Sequence, residues 1–141
     1  MALPFHKPTV VIADDHNGIL TVASMLLGGE FEILATVGDG MKAIEAVADL
    51  KPDVLVLDIG MPGTNGIQAA RQLKQLGYTP KVVFLTVQED ADCVEAACSM
   101  GASYVLKPRM YSDLLAAIKE ALAGRLFFSI PLHPLGNPNS A

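Results

Sequence analysis

Residues 53–66 read DVLVLDIGMPGTNG: a short apolar run rich in valine and leucine, one carboxylate at its end, then a loop of glycine, proline and asparagine. A brief apolar run bounded by turn formers is the pattern of a strand buried on both faces. Such strands belong to parallel sheets, because parallel neighbours need a crossover helix and right-handed crossovers dominate. The same pattern recurs on either side, at residues 9–15 (TVVIADD), 31–37 (FEILATV), 81–86 (KVVFLT) and 103–107 (SYVLK). Between and after these runs, apolar residues fall at helical spacing: Ile19, Val22, Met25 and Leu26; Met41, Ile44, Val47 and Leu50; Ile67, Ala70, Leu73 and Leu76; Val94, Ala97 and Met100; Leu114, Leu115, Ile118 and Leu122. Strand and helix alternate throughout, with breakers at Gly28, Asp39 and Gly40, Lys51 and Pro52, Gly77 and Gly101, and with Ser112 expected to cap the last helix. The expectation is a doubly wound α/β domain with a five-stranded parallel sheet.

The chain has 141 residues, which fits one domain at roughly 150 residues each. Hydrophobic residues are 51% and charged residues 18%, which excludes the disordered class. Ten Lys and Arg against fifteen Asp and Glu give a net charge of -5, the wrong sign for a DNA-binding footprint, so no DNA binding by this chain alone is expected. No apolar run approaches the ~18 residues that span a bilayer, and residues 1–8 lack a signal-peptide core, so no membrane contact and a cytoplasmic location are expected. Cys93 and Cys98, five residues apart and about 140° apart around a helix, read as free thiols. The organisation expected is an N-terminal extension at 1–7, the domain at 8–124 and a tail or interdomain linker at 125–141. The alternative is that Leu126, Phe127 and Phe128 pack back as the end of the last helix, which would suit a freestanding receiver.

Ligands of open α/β sheets bind beyond the carboxyl ends of the strands, so the residues to read are Asp14 and Asp15 after the first strand, Asp58 after the third, Thr86 after the fourth and Lys107 after the fifth. Taken singly, each has an ordinary explanation as a turn, a cap or a solvated charge. Together they form a chemistry. Three clustered carboxylates repel unless a cation joins them, and Mg²⁺, which prefers oxygen ligands and phosphate company, suits them. Lys107 and the Thr86 hydroxyl suit the oxygens of a phosphoryl group, leaving Asp58 as nucleophile.

With Asp14 and Asp15, Asp58 followed by Met61, Pro62 and Gly66, then Thr86, then Lys107 and Pro108, the sequence resembles the response regulator receiver domains of two-component signalling over about residues 8–124. The resemblance implies the flavodoxin-like (βα)5 fold with strand order 2-1-3-4-5. It implies that Asp58 takes a phosphoryl group from a histidine kinase or histidine phosphotransfer protein, and that Asp14, Asp15, Asp58 and the backbone carbonyl of Gly60 hold Mg²⁺. Tyr104 stands where the family has an aromatic that swings inward when the Thr86 position engages phosphate, and Lys107 and Pro108 stand at the family's cis peptide bond. Asp14 to His16 and the MPGTNG loop resemble the NarL/FixJ class, whose outputs are usually DNA-binding domains, so transcription regulation is the expected output. A homodimer through the last two helices and strand five is the second expected partnership. Catalysis is confined to the domain's own phosphotransfer and autodephosphorylation.

One departure is Val87, a branched residue where the family usually has a small one, expected to narrow access to Asp58. His6, His16 and His133 are scattered rather than spaced as metal ligands. Competing readings are a flavodoxin-like electron carrier, which would not put two carboxylates where a flavin phosphate sits, and a haloacid dehalogenase phosphatase, which would carry its nucleophile in a DxDxT pattern after strand one. A pseudo-receiver without phosphorylation and a freestanding receiver acting by protein contacts complete the set.

Overall fold

The computed structural model describes residues 6–129; most of the expected N-terminal extension, and residues 130–141 with His133, lie outside the described residues. The elements run β1 (Thr9–Ala13), α1 (Asn17–Leu27), β2 (Glu32–Val37), α2 (Gly40–Leu50), β3 (Val54–Leu57), α3 (Gly66–Gln75), β4 (Lys81–Thr86), α4 (Ala91–Ser99), β5 (Ser103–Leu106) and α5 (Met110–Leu122). All strand pairings are parallel, in the order β2-β1-β3-β4-β5.

Alternate residues along each strand serve opposite cores, as the two-residue period of a strand requires. Val11, Leu55, Leu57, Phe84 and Tyr104 face α2, α3 and α4, whereas Val10, Ile12, Val54, Val56, Leu85 and Val105 face α1 and α5. Burial on both faces explains why the strands read as continuous apolar runs.

Two glycines let helices start against the loops that carry the site. A Cβ at Gly66 would lie 2.1 Å from the Asp58 carbonyl oxygen, and one at Gly40 would lie 2.2 Å from the Thr64 carbonyl oxygen. Helix α3 can therefore begin directly beneath the end of β3. Its capping box, in which Asn65 and Gln68 exchange side-chain and backbone hydrogen bonds, fixes that start.

Several local expectations are corrected. Strand β1 ends at Ala13 rather than reaching residue 15, because the Asp14 carboxylate accepts the His16 N–H at 2.8 Å and turns the chain into α1. His16 itself caps that helix, its Nδ1 accepting from Ile19. No cis peptide bond occurs among the described residues; Lys107–Arg109 forms a 3₁₀ turn, where trans proline with its fixed φ is well suited to a first turn. That turn runs straight into α5, so Ser112 lies inside the helix and is not its cap. The segment after Gly124 also differs from a free linker: Tyr104 N–H donates to Phe127 O and Ser129 N–H donates to Tyr104 O, both at 2.8 Å, so residues 127–129 lie parallel along the outer edge of β5. Cys93 is partly buried and Cys98 exposed, and both are free; burial pushes the Cys93 thiol up to about 11, with Asp90 adding to it. No helix among the described residues is long and apolar enough to cross a membrane.

Candidate functional site

Sheet register delivers the polar residues to one place. Ala13 pairs with Leu57, and Asp58 N–H donates to Ala13 O at 2.9 Å, so Asp14 and Asp58 leave adjacent strand ends side by side. Thr86 pairs with Leu106, which sets Lys107 one step beyond.

Asp14 and Asp58 are buried while Asp15 is exposed, and carboxylate oxygens of the three lie within 4.8 Å of one another. Lys107 Nζ sits 2.8 Å from Asp14 Oδ2 and 3.3 Å from Asp58 Oδ2. The contact with Asp14 is an ion pair without hydrogen-bond alignment, and Asp14 Oδ2 is buried with no hydrogen-bond partner among the described residues. Burial is the largest influence on Asp14 and holds its carboxyl above the ordinary 3.8, although Lys107 and the His16 N–H pull it down. For Lys107, burial alone would lower the ammonium; Asp14 and Asp58 outweigh it and hold the group above 10.5.

A buried carboxylate oxygen with an unmet lone pair, next to two further carboxylates, fits a hard divalent cation with oxygen ligands. Gly60 follows in an exposed loop, its N–H 3.4 Å from Asp58 Oδ1.

Thr86 is buried, its hydroxyl oxygen accepting from Gln88 N–H at 3.1 Å. Tyr104 is fully buried, and its hydroxyl donates to the Gln88 carbonyl at 2.6 Å. Burial pushes the Tyr104 phenol well above its ordinary range, keeping it a donor. Gln88 thus bonds Thr86 through its N–H and Tyr104 through its carbonyl. Sequence reading missed it, since a backbone bridge leaves no side-chain signal. Val87 is 64% exposed at the mouth of the β4–α4 loop, next in sequence to Thr86.

A family model described as the response regulator receiver domain matches residues 10–119. The chain belongs to the response regulator receiver family. Its receiver domain is 30% identical over 125 residues to the DNA-binding transcriptional activator EvgA of Escherichia coli, covering 87% of this chain and 61% of that protein. It is 35% identical over 134 residues to the transcriptional regulatory protein DegU of Brevibacillus brevis, covering 92% of this chain and 54% of that one. The chain therefore spans little more than half the length of these curated relatives. Among solved structures, the signal receiver domain of the response regulator NarL from Mycobacterium tuberculosis matches with a TM-score of 0.81 and 27% identity, over 86% of this chain and all of that one. The receiver fold and its 2-1-3-4-5 strand order are as the sequence implied.

Proposed function

We propose that this receiver domain accepts a phosphoryl group on Asp58 from a histidine kinase or histidine phosphotransfer protein and passes the change to an output that regulates transcription. The observation that carries it is the setting of Asp58, a buried carboxylate at the end of β3 gathered with Asp14 and Asp15 and 3.3 Å from the Lys107 ammonium. Its Oδ2 takes Lys107 and its Oδ1 only the long contact from the Gly60 N–H at 3.4 Å, whereas Asp14 Oδ1 is engaged by the His16 N–H at 2.8 Å. An Asp58 oxygen attacks phosphorus, the bond from phosphorus to the donor's imidazole nitrogen breaks, and an acyl phosphate forms.

Asp14, Asp15 and Asp58, with the Gly60 carbonyl, would hold Mg²⁺, whose charge offsets that of the transferring group. Lys107, already 3.3 Å from Asp58, pairs with a phosphoryl oxygen. Thr86 donates a hydrogen bond from its hydroxyl to another while still accepting from the Gln88 N–H, and that bond is strengthened by the polarisation. Because the Gln88 carbonyl also holds Tyr104, the disturbance reaches β5 and the surface of α4, β5 and α5. That surface is where a second copy of the chain would dock. The domain turns over nothing but its own phosphoryl group.

The test is the protein's mass after Mg²⁺ and a small phosphodonor. One added phosphoryl group in the native chain and none in Asp58→Asn is expected; an equal gain in Asp58→Asn would overturn the assignment.

A further inference from the structure

We infer that the outer edge of β5 is a strand-docking surface for the chain's own residues 127–129, and that this segment, through Phe128, holds Tyr104 in its inward position. Attachment of the segment and modification of Asp58 then favour one another. The inference rests on the phosphoacceptor reading and adds to it the element that passes the switch to whatever follows residue 129.

The attachment is specific at both ends. At its start, Phe127 N–H donates to Ser103 Oγ at 3.0 Å, and Phe127 O accepts from Tyr104 N–H. At its end, Ser129 N–H donates to Tyr104 O, while Ser129 Oγ accepts from Leu106 N–H at 3.1 Å and donates to Asp113 Oδ2 at 2.8 Å. Asp113 is buried, and the Arg109 Nε and Ser112 hydroxyl also donate to it, each at 2.9 Å. Both β5 backbone groups of Tyr104 and the amide of Leu106 are thus taken by residues 127–129, in the manner of strand addition to a sheet edge.

Tyr104 lies in a cross-strand row. Phe84 of β4 pairs with it on one flank, ring centroids 6.4 Å apart, and Phe128 stacks on the other at 6.5 Å with planes within 9°. Outward rotation of Tyr104 would have to break its bond to the Gln88 carbonyl and part the rings of Tyr104 and Phe128. Removing the segment frees that side. Since Gln88 bonds Thr86 as well, the route from Thr86 to the tail is contiguous: Thr86, Gln88, Tyr104, then residues 127–129. Binding free energies linked in this way act equally in both directions.

The experiment uses the full chain with beryllium fluoride and Mg²⁺ as the phosphoryl mimic, following amide exchange by NMR and affinity by titration. In the native chain, the mimic is expected to slow exchange at Tyr104, Leu106 and Ser129. Phe128→Ala is expected to weaken its binding at least about fivefold, the lower end of ordinary coupling. Ser129→Ala, which keeps the stacked ring and removes only the hydroxyl, guards against misfolding and is expected to act in the same direction with a smaller loss. Equal affinity in all three proteins, with exchange at those amides unmoved by the mimic, overturns the linkage and leaves the phosphoacceptor reading intact. No binding by the native chain overturns both.

Discussion

The least satisfied residue of the site is Asp14, a buried carboxylate whose Oδ2 meets Lys107 without aligned bonding. Its carboxyl is held above 3.8 in the fold, so its contribution to stability falls as pH rises from 3.8 through the folded value, and near neutrality its charge works against folding. Asp14→Asn is therefore expected to stabilise the metal-free protein by roughly 0.5–2 kcal/mol, with Lys107 keeping Asp58 as its partner. Mg²⁺ should raise the melting temperature of the native chain and not of the variant. Calorimetry with and without Mg²⁺ checks both signs, and a less stable variant would show that Lys107 needs both carboxylates. At Val87 the expected outcome concerns lifetime: Val87→Ala should shorten the acyl phosphate half-life by up to about tenfold, the equivalent of ~1.4 kcal/mol, because water then approaches Asp58 past a smaller side chain. Loss of the added phosphoryl mass with time measures it. The gathering of Asp14, Asp15, Asp58 and Lys107 was legible in the sequence, since they follow the ends of apolar runs. Gln88 was not: it acts through its backbone, and backbone chemistry is common to every residue.

Among the elements, α5 does two jobs, covering one face of the sheet and presenting Asp113 to the tail. Burial by itself would raise the Asp113 carboxyl, but hydrogen bonds from Arg109, Ser129 and Ser112 hold it below 3.8. A depressed pKa contributes stability above the unfolded value and loses it as pH falls through the folded one. Protection of the Leu106 and Ser129 amides, measured against the intrinsic exchange rate at each pH, is therefore expected to be high near neutral pH and to fall as pH drops below 3.8, before the central strands open. Asp113→Asn should show the reduced protection already at neutral pH; native protection unchanged through that range would remove Asp113 from the attachment. Strand and helix order was legible because the apolar runs of β1, β3 and β4 are interrupted only where glycine, proline or aspartate punctuate them. Element ends were less so. The reach of β1 was overstated since nothing in TVVIADD announces that Asp14 turns back on the His16 amide. Residues 127–129 were hidden for a related reason, as three residues have no period to read, and their pairing depends on Ser103 and Asp113 more than twenty and fifteen positions upstream.

At the scale of the molecule, charge decides what the chain touches. A net charge of -5 and a carboxylate cluster at the sheet's functional edge repel polyanions, so a gel shift at moderate salt is expected to show no sequence-dependent DNA binding by these 141 residues. A retarded, sequence-dependent band would mean that DNA contact is made here and not in the part of the relatives that this chain does not span. The asymmetry of the sheet matters in another way. A five-stranded sheet has two outer strands, and β5 (SYVL) is an edge whose outer backbone groups, if uncovered, could template another chain. Residues 127–129 blunt that edge. Gly124, with φ of 84° in an exposed turn, is the sort of tip at which proteases nick. A single cut there would release the cover and leave Ser103–Leu106 open to edge-to-edge polymerisation, so the few residues beyond the last helix also guard the domain against aggregation.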